Sequence, residues 1–239
     1  MARFPRRSQW RESRVRVAVL LTINCMEKRN CAYCGGPNAD TMDHVVPGCL
    51  YPAFSTAPRL TIPACEVCNH GWSDDEAHFR TVLTLAGEAN AVTKELWSGK
   101  VLRSLRAADG RRRFEDVWAH MKLVQTPTGE RHQIFPGSDP RFLRIMRKIV
   151  RGLHYHHGFS DPAINDELVY VDLLKVVMPE EFTENMPRRD FGKDVFEYQF
   201  ETFDCFDDIP MSSAWLLTFF ENRKFIGVVW KPGYSATAE

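Results

Sequence analysis

The sequence predicts an α+β fold with a loop-rich N-terminal unit, a helical middle and an antiparallel β-rich end. Three observations predict it. Two Cys-x-x-Cys pairs, Cys31/Cys34 and Cys65/Cys68, bracket a stretch rich in Gly, Pro and Asn. Apolar residues then recur at helical spacing, most clearly after Pro140, and from about Leu168 the period changes to two. With 239 residues, 44% of them hydrophobic, the chain can bury a substantial core. No apolar run reaches the ~20 residues of a membrane span, so no membrane partner is expected.

The elements follow in order. Residues 1–24 form a basic arm leading into an apolar stretch, Val17 to Ile23. That stretch is short for a signal peptide, and Asn24-Cys25-Met26-Glu27 offers no small-residue cleavage site, so a buried strand and a cytoplasmic chain are expected. Residues 25–86 make the Cys-bracketed unit. Ser73 followed by Asp74, Asp75 and Glu76 reads as a helix N-cap with acids at the positive end of the dipole. Residues 87–160 are helical, with breaks at Gly87 and Ser98-Gly99; Arg112 to Val124 fits either a helix or a strand. After Pro140, Phe142, Ile145, Met146, Ile149, Val150 and Leu153 fall on one helical side. Arg141, Arg144, Arg147, Lys148 and Arg151 fall on the other, as a solvated face or a phosphate-contacting one. In 161–239, Phe196, Tyr198 and Phe200 alternate with Glu197, Gln199 and Glu201. Ser213 to Phe220 and Phe225 to Trp230 read as a hairpin across Glu221 to Lys224.

A Cys-x-x-Cys turn aims two thiolates at one point, and two such turns supply the four ligands of a closed, tetrahedral Zn²⁺. Cys31, Cys34, Cys65 and Cys68 are therefore expected to hold a structural zinc whose binding energy becomes folding energy. His154, His156 and His157 read as cationic side chains at a helix C-terminus, with a second metal site, on the helical side that 154 and 157 share, as the alternative. Cys25, Cys49 and Cys205 read as buried apolar residues.

A site with four thiolates has no open position, so any chemistry must come from between the knuckles. There the sequence is Asp40-Thr41-Met42-Asp43-His44-Val45-Val46-Pro47, and Asn69 follows the last Cys. Asp-His followed by two apolar residues and Pro, enclosed by two knuckles with a trailing Asn, resembles the HNH endonuclease family over roughly Asn30 to Phe79. The resemblance implies a zinc-stapled ββα-metal finger that hydrolyses nucleic-acid phosphodiesters with one divalent ion. It implies His44 as the base that takes a proton from water, and Asp43 and Asn69 as ligands of that ion. Restriction and phage defence are settings such a nuclease fits. Hard oxygen ligands suit Mg²⁺ or Mn²⁺, and an imidazole titrates near neutral pH. The family's middle Asn has no counterpart in Ala57-Pro58-Arg59-Leu60-Thr61-Ile62, where Arg59 and Thr61 are the candidates to replace it. Neighbouring strand residues leave opposite faces, so a local distortion between Asp43 and His44 is expected. His70, turned about 100° from Asn69 on a helix, is not expected to share its ion. His78 is expected at the surface, and Asp75 to cap its helix. A zinc-stabilised nucleic-acid-binding module without catalysis is the alternative.

Net charge is zero, 31 Lys and Arg against 31 Asp and Glu, which by itself discourages a nucleic-acid partner. The charge is unevenly spread. Residues 1–30 carry eight basic and two acidic side chains, and residues 180–210 carry ten acidic and three basic. Screening confines each group's influence to about a Debye length, ~8–10 Å, so the local pattern governs binding. DNA rather than RNA is the expected substrate. The acidic 180–210 segment reads first as a solvated face, with a docking surface for a second copy or a basic protein, or a DNA-mimicking self-inhibitor, as the alternatives.

Overall fold

A computed structural model of the chain describes residues 29–125, 127–129, 131–134, 137–159, 164–176, 178–179, 183–192, 194–203 and 209–234. The expected arm and strand over 1–24, Cys25, Cys205 and five of the acids in 180–210 lie outside the described residues.

The architecture is mixed α+β with three antiparallel sheets. Strand β1 (Thr41–His44) pairs with β2 (Thr61–Ala64), His44 opposite Thr61 and Thr41 opposite Ala64. Cys65 follows β2 and stands at the N-cap of the short helix α1 (Glu66–His70). Helix α2 (Ser73–Leu85) follows. Ser73 is its first helical residue rather than its cap: the hydroxyl donates to the His70 carbonyl at 3.1 Å, and Asp74, Asp75 and Glu76 fill the first turn. Helix α3 (Ala91–Leu96) opens on a capping box, Asn90 Oδ1 accepting from Thr93 N–H and Thr93 Oγ1 from Asn90 N–H. The break expected at Ser98-Gly99 is instead a π turn, Trp97–Val101, that carries the helix on into α4 (Leu102–Leu105). The ambiguous Arg112 to Val124 stretch is both things in succession. Helix α5 (Gly110–His120) leads into β3 (Lys122–Gln125), which pairs with β4 (Arg131–Ile134).

Helix α6 (Pro140–His156) starts where Pro140 places it, with the Asp139 carboxylate accepting from Phe142 N–H at 2.7 Å. The remaining strands are β5 (Val169–Leu173), β6 (Arg188–Asp190), β7 (Phe196–Thr202), β8 (Met211–Phe219) and β9 (Arg223–Trp230). They form one sheet in the order β5-β9-β8-β7-β6. Phe196, Tyr198 and Phe200 are buried along β7, as their alternation predicts, and Trp215 of β8 stacks on Phe200 with centroids 5.1 Å apart. The β8–β9 turn falls one residue earlier than expected, with Phe220 and Glu221 both at positive φ.

Helix α6 is pressed between the β1–β2 hairpin and this sheet. A Cβ on Gly152 would lie 2.9 Å from Val45 Cγ1 and 3.3 Å from Ile62 Cδ1, and one on Gly227 of β9 would lie 2.6 Å from Val150 Cγ2. Backbone approaches side chain on both sides only because these two positions are glycine. One cluster of buried apolar side chains consequently runs from Cys31 to Val229 and crosses the boundaries expected near 86 and 160.

Candidate functional site

The two knuckles meet. The Sγ atoms of Cys31, Cys34, Cys65 and Cys68 lie within 4.8 Å of one another, with Cys34 and Cys65 3.9 Å apart. Four sulfurs at ~2.3 Å from a tetrahedral zinc are ~3.8 Å apart, so the set could hold such an ion. Local hydrogen bonds make the first knuckle: Gly35 N–H donates to Cys31 O and Cys31 N–H to Gly36 O, both at 2.8 Å. Ala32 N–H donates to Pro63 O at 2.9 Å, which fixes that knuckle against β2 and hence against Cys65. Burial raises the Cys31 thiol, but the backbone N–H groups of Cys34, Cys65 and Tyr33 outweigh it and bring it down to about 7. Cys68 moves up, through burial and the neighbouring thiols. Among the described residues no other group of three or more Cys, His, Asp or Glu has such spacing.

Asp43, His44 and Asn69 sit on the same hairpin-and-helix unit but not on one face. The β1–β2 register runs unbroken from Thr41 to His44, and Val45 N–H continues it by donating to Leu60 O at 3.0 Å. The distortion expected between Asp43 and His44 is therefore not there, and regular pairing sends the two side chains to opposite sides. Asp43, with Val45, faces α6; it is 6% exposed and its Oδ2 lies 2.8 Å from Lys148 Nζ. Asn69 joins that side: its Nδ2 donates to Thr41 Oγ1 at 3.0 Å, two residues before Asp43. An amide spending its nitrogen there has its carbonyl oxygen as the remaining donor to a metal. His44 lies on the other side, near Gly48 and Arg59. Its Nδ1 is buried with no hydrogen-bond partner among the described residues. Such an atom forfeits about 1–3 kcal/mol unless water or a ligand meets it.

The basic side of α6 is corrected by the structure. It is neither uniformly solvated nor uniformly available to phosphate, because α2 and the first knuckle cover it. Lys148 is fully buried and bridges Asp43 and Glu76, its Nζ 2.6 Å from Glu76 Oε1. Arg151, also buried, donates to the Tyr33 carbonyl and to Asp166. Arg141 and Arg144 bind the Asp75 carboxylate at 2.9 and 2.6 Å, and Arg141 reaches Asp116 as well. Arg147 is half-buried. Asp75 therefore clamps α2 to α6 rather than capping its own helix. Tyr33, in the first knuckle, lies 5.7 Å from both Lys148 Nζ and the Arg151 guanidinium carbon. Burial, and then the Asp43 carboxylate beside it, push its phenol well above the usual range.

Other histidines are also placed. His78 is buried rather than exposed, 3.4 Å from the Asp139 carboxylate. His154 Nδ1 is 2.9 Å from Ser213 Oγ, and His157 Nε2 is 3.0 Å from the Tyr198 hydroxyl; both tie α6 to the sheet. Cys49 is covered, and burial raises its thiol to about 11.

The Lys148–Asp43–Glu76 bridge was not foreseen. The available signal was Gly152, one turn beyond Lys148 on the same helical side, where only a close neighbour explains a glycine. No helix of the described residues is long and apolar enough to cross a membrane. No family model, no curated protein and no solved structure matches this chain.

Proposed function

We propose that the chain is a metal-dependent HNH-type endonuclease that hydrolyses DNA, its finger stapled by zinc on Cys31, Cys34, Cys65 and Cys68. One observation carries the reading. At the end of a strand enclosed by the four cysteines, His44 keeps a buried ring nitrogen without a partner among the described residues, as a group reserved for water does. In this reading His44 takes a proton from a water that attacks phosphorus, and the regular β1–β2 pairing holds the imidazole in place. Asp43 and Asn69 would hold Mg²⁺ or Mn²⁺, which would stabilise charge on the phosphate and leaving oxygen. Their donors are hard oxygens, but α6 covers Asp43 and its carboxylate already neutralises Lys148, so holding an ion would require that pair to open.

The same ion pair favours a second reading. Asp43 is sealed beneath α6 and faces away from His44, as suits a zinc-stabilised nucleic-acid-binding module without catalysis. Plasmid nicking in Mg²⁺ or Mn²⁺ separates the two. The nuclease reading expects nicking by the native chain and a loss of about 10²–10⁴-fold in His44→Ala, with zinc content unchanged. Native protein that binds DNA without nicking it supports the module. Nicking that survives His44→Ala or removal of Mg²⁺ and Mn²⁺ overturns the nuclease.

A further inference from the structure

The turn after β1 gathers cations that neither knuckle uses. Gly48 opens a short 3₁₀ turn, Gly48–Leu50. The place its missing Cβ would fill lies 3.3 Å from His44 Cδ2, 3.8 Å from His44 Nε2 and 3.8 Å from Arg59 Nη1. Imidazole and guanidinium thus border one cradle. Arg59 is exposed and propped on the buried ring of Tyr51, its guanidinium carbon 5.2 Å from the centroid. Among the described residues no carboxylate pairs with it. Beneath the turn, Lys100 Nζ donates to Tyr51 O at 2.6 Å and lies 3.4 Å from Gly48 O. Burial, and then the charges of Arg80, Arg59 and Arg103, push its ammonium down against the opposing Cys49 thiol. Arg80 is held close by, donating to Ser104 Oγ at 3.1 Å.

Like charges around one turn repel each other, and an anion meeting Arg59 relieves that repulsion. A guanidinium already stacked on a ring loses little freedom on binding, and its planar fork matches two phosphate oxygens. The geometry points to the cradle beside Gly48 as a phosphate site for a nucleic-acid strand, with Arg59 making the contact and Lys100 adding charge from beneath. The inference rests on reading the finger as a nucleic-acid module, and it puts the bound phosphate next to His44. It also moves the contact surface from the covered side of α6 to the other side of β1.

The test is binding of the zinc-loaded full chain to a short labelled DNA duplex, over a range of KCl, without Mg²⁺ or Mn²⁺. Arg59→Ala is expected to weaken binding about tenfold and to lower the slope of log K against log salt by about one. Arg59→Lys should recover part of the loss. Gly48→Ala, which fills the cradle and keeps the guanidinium, should weaken binding comparably. Arg188→Ala, on β6, serves as a control expected to leave affinity unchanged. An RNA duplex of the same sequence forms a second arm; Arg59-dependent binding there supports the site and identifies RNA as its strand. Inorganic phosphate that competes with native protein but not with Arg59→Ala supports it too. Native affinity and salt slope in both Arg59→Ala and Gly48→Ala overturn it, as does a native chain that binds neither duplex. Arg59-dependent binding without any nicking in Mg²⁺ leaves this site standing and removes the nuclease. Nicking indifferent to both variants does the reverse.

Discussion

The Cys-bracketed finger and the five-stranded sheet reach order by different means. Between Cys31 and His70 the strands are four residues long, and besides Val45 and Ile62 packed on α6 they are fixed by polar contacts: thiols, knuckle hydrogen bonds, and the Lys148 bridge to Asp43 and Glu76. In the sheet, strands of seven to nine residues carry Phe196, Tyr198, Trp215 and Phe219, all under 2% exposed. Helix α6 serves both. Its Lys148, Arg151 and Gly152 meet the finger, while Phe142, Val150 and His154 meet the sheet. A region stabilised by charge and coordination fails when an ion or a proton changes; a region stabilised by apolar area fails when volume is lost. The two should therefore be separable by experiment.

The largest effect is expected from removing the metal. Structural zinc contributes about 10–16 kcal/mol of apparent binding energy in isolated zinc fingers. Chelation, or Cys68→Ser, should raise amide exchange across residues 31–70 by orders of magnitude while β7, β8 and β9 stay protected. Equal loss of protection in the sheet would show that the finger and sheet unfold as one unit. Lys148→Ala should come next, because it leaves two covered carboxylates without their cation. Breaking a buried pair costs about 3–5 kcal/mol, and partial exposure of Glu76 places the expected value near the lower end. Thermal unfolding checks it, with the double variant Lys148→Met/Asp43→Asn expected to recover part of the loss.

The smallest effect belongs to the sheet side and concerns pH. Burial first, then the charges of His156, Arg189 and His154, lower His157 from 6.5 to about 4. The unfolded chain therefore binds a proton in that window that the folded chain does not, so stability falls as pH drops from 6.5 through about 4. Discounted for partial exposure, the loss is on the order of 1–2 kcal/mol. Exchange in β7 and β8 against pH measures it, and His157→Phe should flatten the slope. A finger-only response to acid would contradict the assignment.

The sequence made some of this legible because the governing pattern is local. The knuckles, the start of α6 at Pro140 and the alternation of Phe196, Tyr198 and Phe200 all declare themselves within a few residues. Pairings made over long separations did not. Lys148 meets Asp43 across more than a hundred residues, and nothing near either one announces the other. Its basic neighbours argued for water, whereas Asp43, Asp75 and Glu76 supply countercharges that let that side be covered. The strand distortion failed for a related reason: Thr61 and Leu60 pair regularly with β1, and a motif of adjacent residues carries no information about its partner strand. Arg59 was visible only as the residue standing where an Asn is missing, and its relation to His44 required Gly48 in three dimensions.

The position of α6 in the chain also has a consequence for synthesis. The four cysteines and both short strands leave the ribosome well before Lys148, Arg151 and Gly152 exist. During that interval the Cys-bracketed unit has thiols that could take up a metal but no helix to cover Asp43, and the carboxylates remain hydrated. A metal taken up by the four thiols would therefore bind before α6 can dock over the polar side of that unit. In the sheet, β6, β7 and β8 pair in chain order, whereas β5, which joins through β9 alone, must wait for nearly the last described strand residues.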